Sequence, residues 1–235
     1  AIDSFVKPFP MSIGNATIID EKLIATWLDS ELLLARMAAI DLNSKLVQGV
    51  DRSELRVRRT IDKALHPASS SWSHVLDAEP LALDSNTTMF AFVLWKKGIY
   101  NMTHDAHEIW RRKEPQWKQL SKLPRAQETV KLIVKEDMLE IWSRGMGVNQ
   151  YDLETGEILS SEVVDSEGFL LNVFNSGDRY LLQMNDNEVV MLEGRNIVLR
   201  ARLSGPISNA FWSEKKQGWF LTGWREIVFL SLIHI

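Results

Sequence analysis

The feature that most limits what this chain can fold into is a recurrence. Apolar runs of strand length begin at Phe90 (FAFVLW), Val130 (VKLIV), Leu170 (LLNVF) and Ile207 (ISNAF), roughly forty residues apart. A second series keeps the same register, with IYNMT at Ile99, LEIWS at Leu139, RYLLQ at Arg179 and GWFLT at Gly218. A period of that length marks a supersecondary unit that cannot bury its apolar face alone and stacks on its neighbours. Third and fourth strands are predicted over residues 148–152 and 157–163 in one unit, and over 188–192 and 196–202 in the next. Glu154-Thr155-Gly156, Asp186-Asn187 and Glu193-Gly194-Arg195 supply the tight turns between them. Four strands per unit is the blade pattern of a β-propeller. A β-sandwich or an open meander also yields many short alternating strands, but the fixed long period favours the propeller.

The front of the chain reads differently. Asp20 can cap a helix opening at Glu21, in which Leu23, Ile24, Trp27, Leu28, Leu32, Ala35 and Ala39 share a face, broadened by Leu33, Leu34, Met37, Ile40 and Leu42. Residues 53–65 are predicted helical as well, with Val57, Ile61 and Leu65 at four-residue spacing, until His66-Pro67 ends the segment. The basic residues Arg52, Arg56, Arg58, Arg59 and Lys63 read as a solvated helix face. Ala68-Ser69-Ser70-Ser71 is then a polar connector. The expected fold is therefore mainly β, a partial, truncated β-propeller of four-stranded antiparallel blades preceded by a small N-terminal helical region. Its domains are a helical region over 1–67, an incomplete set of blades over 72–229, and a tail over 230–235. That tail, LSLIHI, resembles the translation of a sequencing adapter, which together with the small number of units suggests a fragment; a natural edge strand of Leu, Ile and Ser is the other reading.

Composition removes several function classes. The 235 residues contain no cysteine, so disulfides, thiolate metal sites and a thiol nucleophile are excluded. A net charge of -4 argues against a dedicated nucleic-acid binder, which needs a basic footprint. No stretch approaches the roughly twenty apolar residues of a membrane-spanning helix. The first residues, AIDSFVKPFP, lack the marks of a secretory signal, so a cytoplasmic setting is expected, although a missing true start would hide a signal.

The segment YDLETGEIL from Tyr151 resembles the strand-turn-strand signature of propeller repeats in the WD40-like and quinoprotein-like groups. The resemblance implies the fold; the calcium site and cofactor-binding residues of the quinoprotein enzymes cannot be aligned here. The run from Ile109-Trp110-Arg111 through Trp117 and Leu123-Pro124 to Leu139-Glu140-Ile141-Trp142-Ser143 is similar to bacterial β-propeller proteins associated with MoxR-type AAA+ ATPase and von Willebrand factor A systems. That likeness implies a non-catalytic scaffold contacting an AAA+ ATPase or its adaptor.

No catalytic, cofactor-binding or metal-ligating set emerges from the sequence. His104-Asp105-Ala106-His107 offers two imidazoles but no third ligand, and reads as a polar turn. Gly145-Met146-Gly147 lacks the helix of a phosphate loop, so its glycines read as turn residues with positive φ. No serine lies in GxSxG. Most of the tryptophans read as packing between blades, yet Trp and Arg are also favoured anchors of interfaces. Trp110, Arg111, Arg112, Trp142, Trp212 and Trp224 are the candidate partner-binding residues. Arg111-Arg112-Lys113 and Lys215-Lys216 double as solvated hairpin ends that protect strand edges. The expected function is a non-enzymatic protein-binding or scaffolding propeller with no cofactor; the alternative is a propeller enzyme or ligand sensor whose axial site further blades complete.

Overall fold

The computed structural model describes residues 6–58 and 65–231. Five antiparallel sheets follow one another along the chain, each made of strands that pair in sequence order. The first holds β1 (Ile13–Ile19), β2 (Lys22–Asp29), β3 (Leu34–Asp41) and, after a long connection carrying α1 (Arg52–Arg58), β4 (Ser70–Leu76). The second holds β5 (Pro80–Ser85), β6 (Met89–Leu94), β7 (Gly98–Thr103) and β8 (Glu108–Arg112). The third holds β9 (Thr129–Val134), β10 (Met138–Ser143), β11 (Gly147–Asp152) and β12 (Ile158–Val163). The fourth holds β13 (Leu170–Ser176), β14 (Arg179–Met184), β15 (Glu188–Glu193) and β16 (Asn196–Arg202), and the fifth β17 (Ile207–Ser213), β18 (Gly218–Gly223) and β19 (Ile227–Ser231). The mainly β fold built of repeated four-stranded blades is as the period requires.

The helix expected from Asp20 through Leu42 is not there; the same residues form a turn and two strands of the first sheet. The physical reason is that both faces of these strands are buried. Leu23, Ala25 and Trp27 face one side and Ile24, Thr26 and Leu28 the other, so the run is apolar almost throughout and carries helical spacings by density alone. Asp20 and Glu21, at φ 48° and 59°, form the tip of the β1–β2 hairpin rather than a helix cap. The connector expected at residues 68–71 falls inside a blade, because β4 starts at Ser70 and pairs with β3 through Ile40↔Ser70 and Ala39↔Trp72. The repeat thus begins at Ile13. Of the helix expected over 53–65, α1 covers the start, and residues 59–64 lie outside the described ones. Leu230 and Ser231, assigned to the tail, pair with Trp219 and Gly218; residues 232–235 lie outside the described ones.

The chain divides into two compact units. One comprises Ala1–Pro115, Leu132–Glu140 and Gln150–Leu159, the other Gln116–Lys131, Ile141–Asn149 and Ser160–Ile235. In the first unit, Ile24, Met37 and Ala39 of the first sheet pack on Phe90, Phe92 and Leu94 of the second. The opposite face of the first sheet, with Ala25, Trp27, Ala38 and Ile40, lies under Phe9, Leu55 and Leu65. In the second unit, Leu181, Val189 and Met191 of the fourth sheet pack on Ala210, Trp219 and Leu221 of the fifth. Burial of these aliphatic and aromatic side chains, at about 1.5–3 kcal/mol each, is what holds chains without disulfides together.

Candidate partner-binding surface

The candidate anchors separate by burial. Trp142 is fully buried, 5.4 Å from the Tyr180 ring with the Arg195 guanidinium over both, and Trp110 is buried with its indole N–H donated to the Leu153 carbonyl at 2.8 Å. Both rings are covered almost wholly by the chain itself, a large flat ring at an alternating strand position being taken up by the neighbouring sheet. Arg112 donates to the carbonyls of Gly156 and Thr155 at 2.9 and 2.6 Å, so it holds a turn. Arg111 stays exposed, 5.6 Å over the Tyr100 ring and 3.8 Å from Glu108. Trp212 is half-buried against Trp219 under the Arg179 guanidinium. Trp224 is 81% exposed at the β18–β19 turn, with Arg225 stacked 4.0 Å from its ring.

The His104 loop is a polar turn: Asp105 pairs with Lys22 and His104 at 3.0 Å each, and the His104 carbonyl accepts the indole N–H of Trp72. Among the described residues no group of three or more metal-ligating side chains converges. At Gly145-Met146-Gly147 the positive φ belongs to Met146, at 69°. The glycines answer a different need, since a Cβ on Gly147 would lie 2.5 Å from the Trp117 ring and one on Gly145 2.7 Å from Ala126.

An apolar groove in the first unit lies where the β2–β3 turn, the β4–β5 connection and the β6–β7 turn meet. Its volume is about 540 Å³, and it is lined chiefly by Leu28, Leu33, Leu76, Trp95, Lys96 and Lys97. Each wall is positioned by local chemistry. The Asp29 carboxylate accepts the amides of Glu31 and Leu32 at 3.0 Å and Arg52 Nε at 2.9 Å, which folds the turn so that Leu32 enters the core. Leu33 is left at φ 51° and 86% exposed. Burial opposes the charge of Asp29, but the Leu32 amide, Arg52 and the Glu31 amide outweigh it and hold the carboxyl below its ordinary value.

Across the groove, Trp95 is tied by its amide to the Glu79 carbonyl at 2.9 Å and remains 47% exposed. Lys96 turns the chain at φ 57° and lays its ammonium 4.4 Å from the Trp95 ring, while Lys97 pairs with Asp77 at 2.7 Å. Gly98 follows at φ 117°, where a Cβ would sit 2.1 Å from the Arg112 carbonyl oxygen. A left-handed non-glycine residue costs about 1–2 kcal/mol, and such conformations collect at functional sites. Here one of them, Leu33, displays apolar surface to solvent, and another, Lys96, turns the chain beside the exposed Trp95. The arrangement can grip apolar side chains between Leu33 and Trp95 and offer charged groups at the rim. Sequence reasoning missed it; the available signal was a third leucine in Leu32-Leu33-Leu34 at a hairpin tip, where turn residues belong.

Among the described residues no helix is long and apolar enough to cross a membrane. No protein-family model matches the chain, and no curated protein is similar to it. Solved structures are. Raptor from Chaetomium thermophilum superposes over 94% of this chain with a TM-score of 0.62 at 9% identity, and the chain spans only 19% of Raptor's length. The β-propeller domain of Cps50 (Swd1) from Myceliophteria thermophila matches over 94% of this chain and 69% of its own, with a TM-score of 0.60 at 12% identity. At such identities the likeness carries the fold, and the expectation of propeller repeats holds at that level.

Proposed function

We propose that this chain is a non-enzymatic protein-binding or scaffolding propeller whose partner seats an apolar side chain between Leu33 and Trp95. The observation that carries the reading is the display of Leu33, a large apolar residue held in a left-handed conformation and 86% exposed over a groove. Isolated exposed leucines are ordinary; one held out at a conformational cost beside an exposed tryptophan and a half-open cavity is what an interface anchor requires. The partner class put first is an AAA+ ATPase or its adaptor, on the likeness of residues 109–143 to bacterial propellers of such systems, in a cytoplasmic setting.

The test is quantitative affinity capture from the native host with the parent chain, Leu33→Asp and Trp95→Ala, after circular dichroism has shown all three to be folded. A partner retained by the parent and depleted at least tenfold by both variants supports the reading, and an ATPase or adaptor among the depleted proteins supports its finer form. Capture unchanged by both variants removes the groove as the site.

A further inference from the structure

Among the described residues, each four-stranded sheet ends in an outer strand with one side unpaired: β4, β8, β12 and β16. Charged side chains are what keep such edges from pairing with other chains. Three of the four strands carry them, β8 in Glu108, Arg111 and Arg112, β12 in Glu162, and β16 in Arg200 and Arg202. β4 does not. Its sequence, SSWSHVL, holds no Asp, Glu, Lys or Arg, and no proline to spoil the ladder.

The unguarded stretch is also the regular one. Residues 72–76 pair one for one with residues 39–35 of β3, and the register shift falls before them, at Ser71. Among the described residues no backbone group outside the first sheet bonds to residues 72–76. Their side chains are held by other means: Trp72 donates its indole N–H to the His104 carbonyl at 3.0 Å and stacks on Phe90 at 5.7 Å, and Ser73 Oγ lies 2.9 Å from His66 Nδ1. The His74 ring is 5.5 Å from that of Trp72 and is exposed, as is Val75. The first carboxylate past the strand, Asp77, is engaged by Lys97 at 2.7 Å.

We propose that β4 pairs antiparallel with β4 of a second copy of this chain, about a two-fold axis at His74. The strand is self-complementary in that register: Trp72 stands opposite Leu76, Ser73 opposite Val75, and His74 opposite its own counterpart. Apolar meets apolar and small meets β-branched, while two neutral imidazoles, each with one donor and one acceptor, satisfy each other. The open backbone groups of residues 72–76 gain partners, and the contact closes on itself as a two-fold interface must. An acidic or basic segment from another protein would meet no opposite charge on this edge, whereas a second copy meets its own match. The inference goes beyond the reading of the chain as a protein binder and does not depend on it, since it is tested on the chain alone.

Sedimentation velocity over a series of concentrations is expected to show a reversible monomer–dimer equilibrium, weak because one strand pair buries little surface. Amide hydrogen exchange at residues 72–76 should slow as the dimer forms. His74→Lys, at an exposed position, sets two ammonium groups face to face and should weaken association about tenfold, with circular dichroism unchanged; mixing it with His74→Glu should restore association. Because the chain has no cysteine, introduced thiols report the register. His74→Cys should form a disulfide with its own counterpart under oxidised glutathione, and Ser73→Cys should cross-link to Val75→Cys in a mixture more than either does to itself. A chain that stays monomeric at every concentration overturns the proposal. So does a dimer indifferent to His74→Lys or unlinked by His74→Cys, which forms through another surface. Exchange at residues 72–76 that is equally slow in monomer and dimer overturns it as well, because the edge is then already covered.

Discussion

The indole N–H of Trp110 and the side-chain amide of Asn101 converge on one acceptor, the Leu153 carbonyl, at 2.8 and 2.7 Å. This gives the YDLETGEIL turn a role beyond reversing the chain. Asp152 shapes it by accepting the Thr155 amide and hydroxyl at 2.7 and 2.8 Å. Gly156, at φ 70°, then brings the backbone so close to Trp110 that a Cβ would lie 2.7 Å from the ring. The turn is a socket for the tryptophan of β8.

Gly156→Ala is therefore expected to destabilise the chain by about 2–4 kcal/mol, combining a left-handed alanine with a clash that the buried ring cannot relieve. Trp110→Phe keeps most of the packing and leaves Leu153 its bond from Asn101, so the expected loss is smaller, about 1–2 kcal/mol. Urea denaturation checks both. A lower midpoint at constant slope is expected, and equal losses for the two would contradict the socket.

At Leu33 the direction reverses. Asn tolerates φ near 50° far better than Leu, and an 86% exposed side chain contributes little burial. Leu33→Asn should raise stability by about 0.5–1 kcal/mol while reducing partner capture. A variant that is both less stable and unchanged in binding would show that Leu33 serves the fold instead.

Asp29 makes the first unit acid-sensitive. Its carboxyl titrates below the ordinary value of 3.8, so the stability it contributes is fully present above that pH and is lost as pH falls further toward the lowered folded value. Arg52 is half exposed and solvent screens its share, leaving the amides of Leu32 and Glu31 as the firmer partners. Thermal unfolding between pH 6 and pH 2.5 should show a decline below about pH 4 that Asp29→Asn flattens, the variant being less stable at pH 6. Parallel curves for parent and variant would assign the acid sensitivity elsewhere.

How much was legible follows from how each element signals itself. The strands from Phe90 onward alternate or run briefly between turn residues, so their period is visible in the letters. The first sheet shares the architecture but not the signal. Leu23 to Leu28 and Leu34 to Ile40 are covered on both sides, by Phe90 and Phe92 on one and by Phe9, Leu55 and Leu65 on the other. Double burial erases alternation, and a 28-residue connection between Asp41 and Ser70 erases the spacing to β4. The candidate anchors divide for a related reason: residue type alone does not say which tryptophans the neighbouring sheet consumes. Trp110 and Trp142 are consumed; Trp224, on a turn beside Gly223, is not.

The connection that hid the first sheet also protects it. Leu55, on α1, is fully buried against the face that holds Ala25, Trp27 and Ile40, and Phe9 meets Trp27 edge-on at 6.1 Å. Arg36, on the same face of β3, donates from Nε to the Leu65 carbonyl and from Nη1 to the Ala35 carbonyl, both at 3.0 Å. The 7 described residues of α1 cannot stand by helical propensity, so these contacts, with the Arg52–Asp29 pair, hold the connection down. Leu55→Asp puts an unpaired carboxylate into that apolar layer, a change that favours release of the connection over retention. Brief protease treatment should then cut within residues 42–69 while the sheet signal in circular dichroism persists, and acrylamide should quench additional tryptophan fluorescence as Trp27 becomes accessible. Leu55→Ala, which removes volume without charge, should give the same pattern more weakly. Cleavage that appears only together with loss of the sheet signal would mean that the connection and the first sheet unfold as one unit, and the connection would then be part of the core instead of a cover over it.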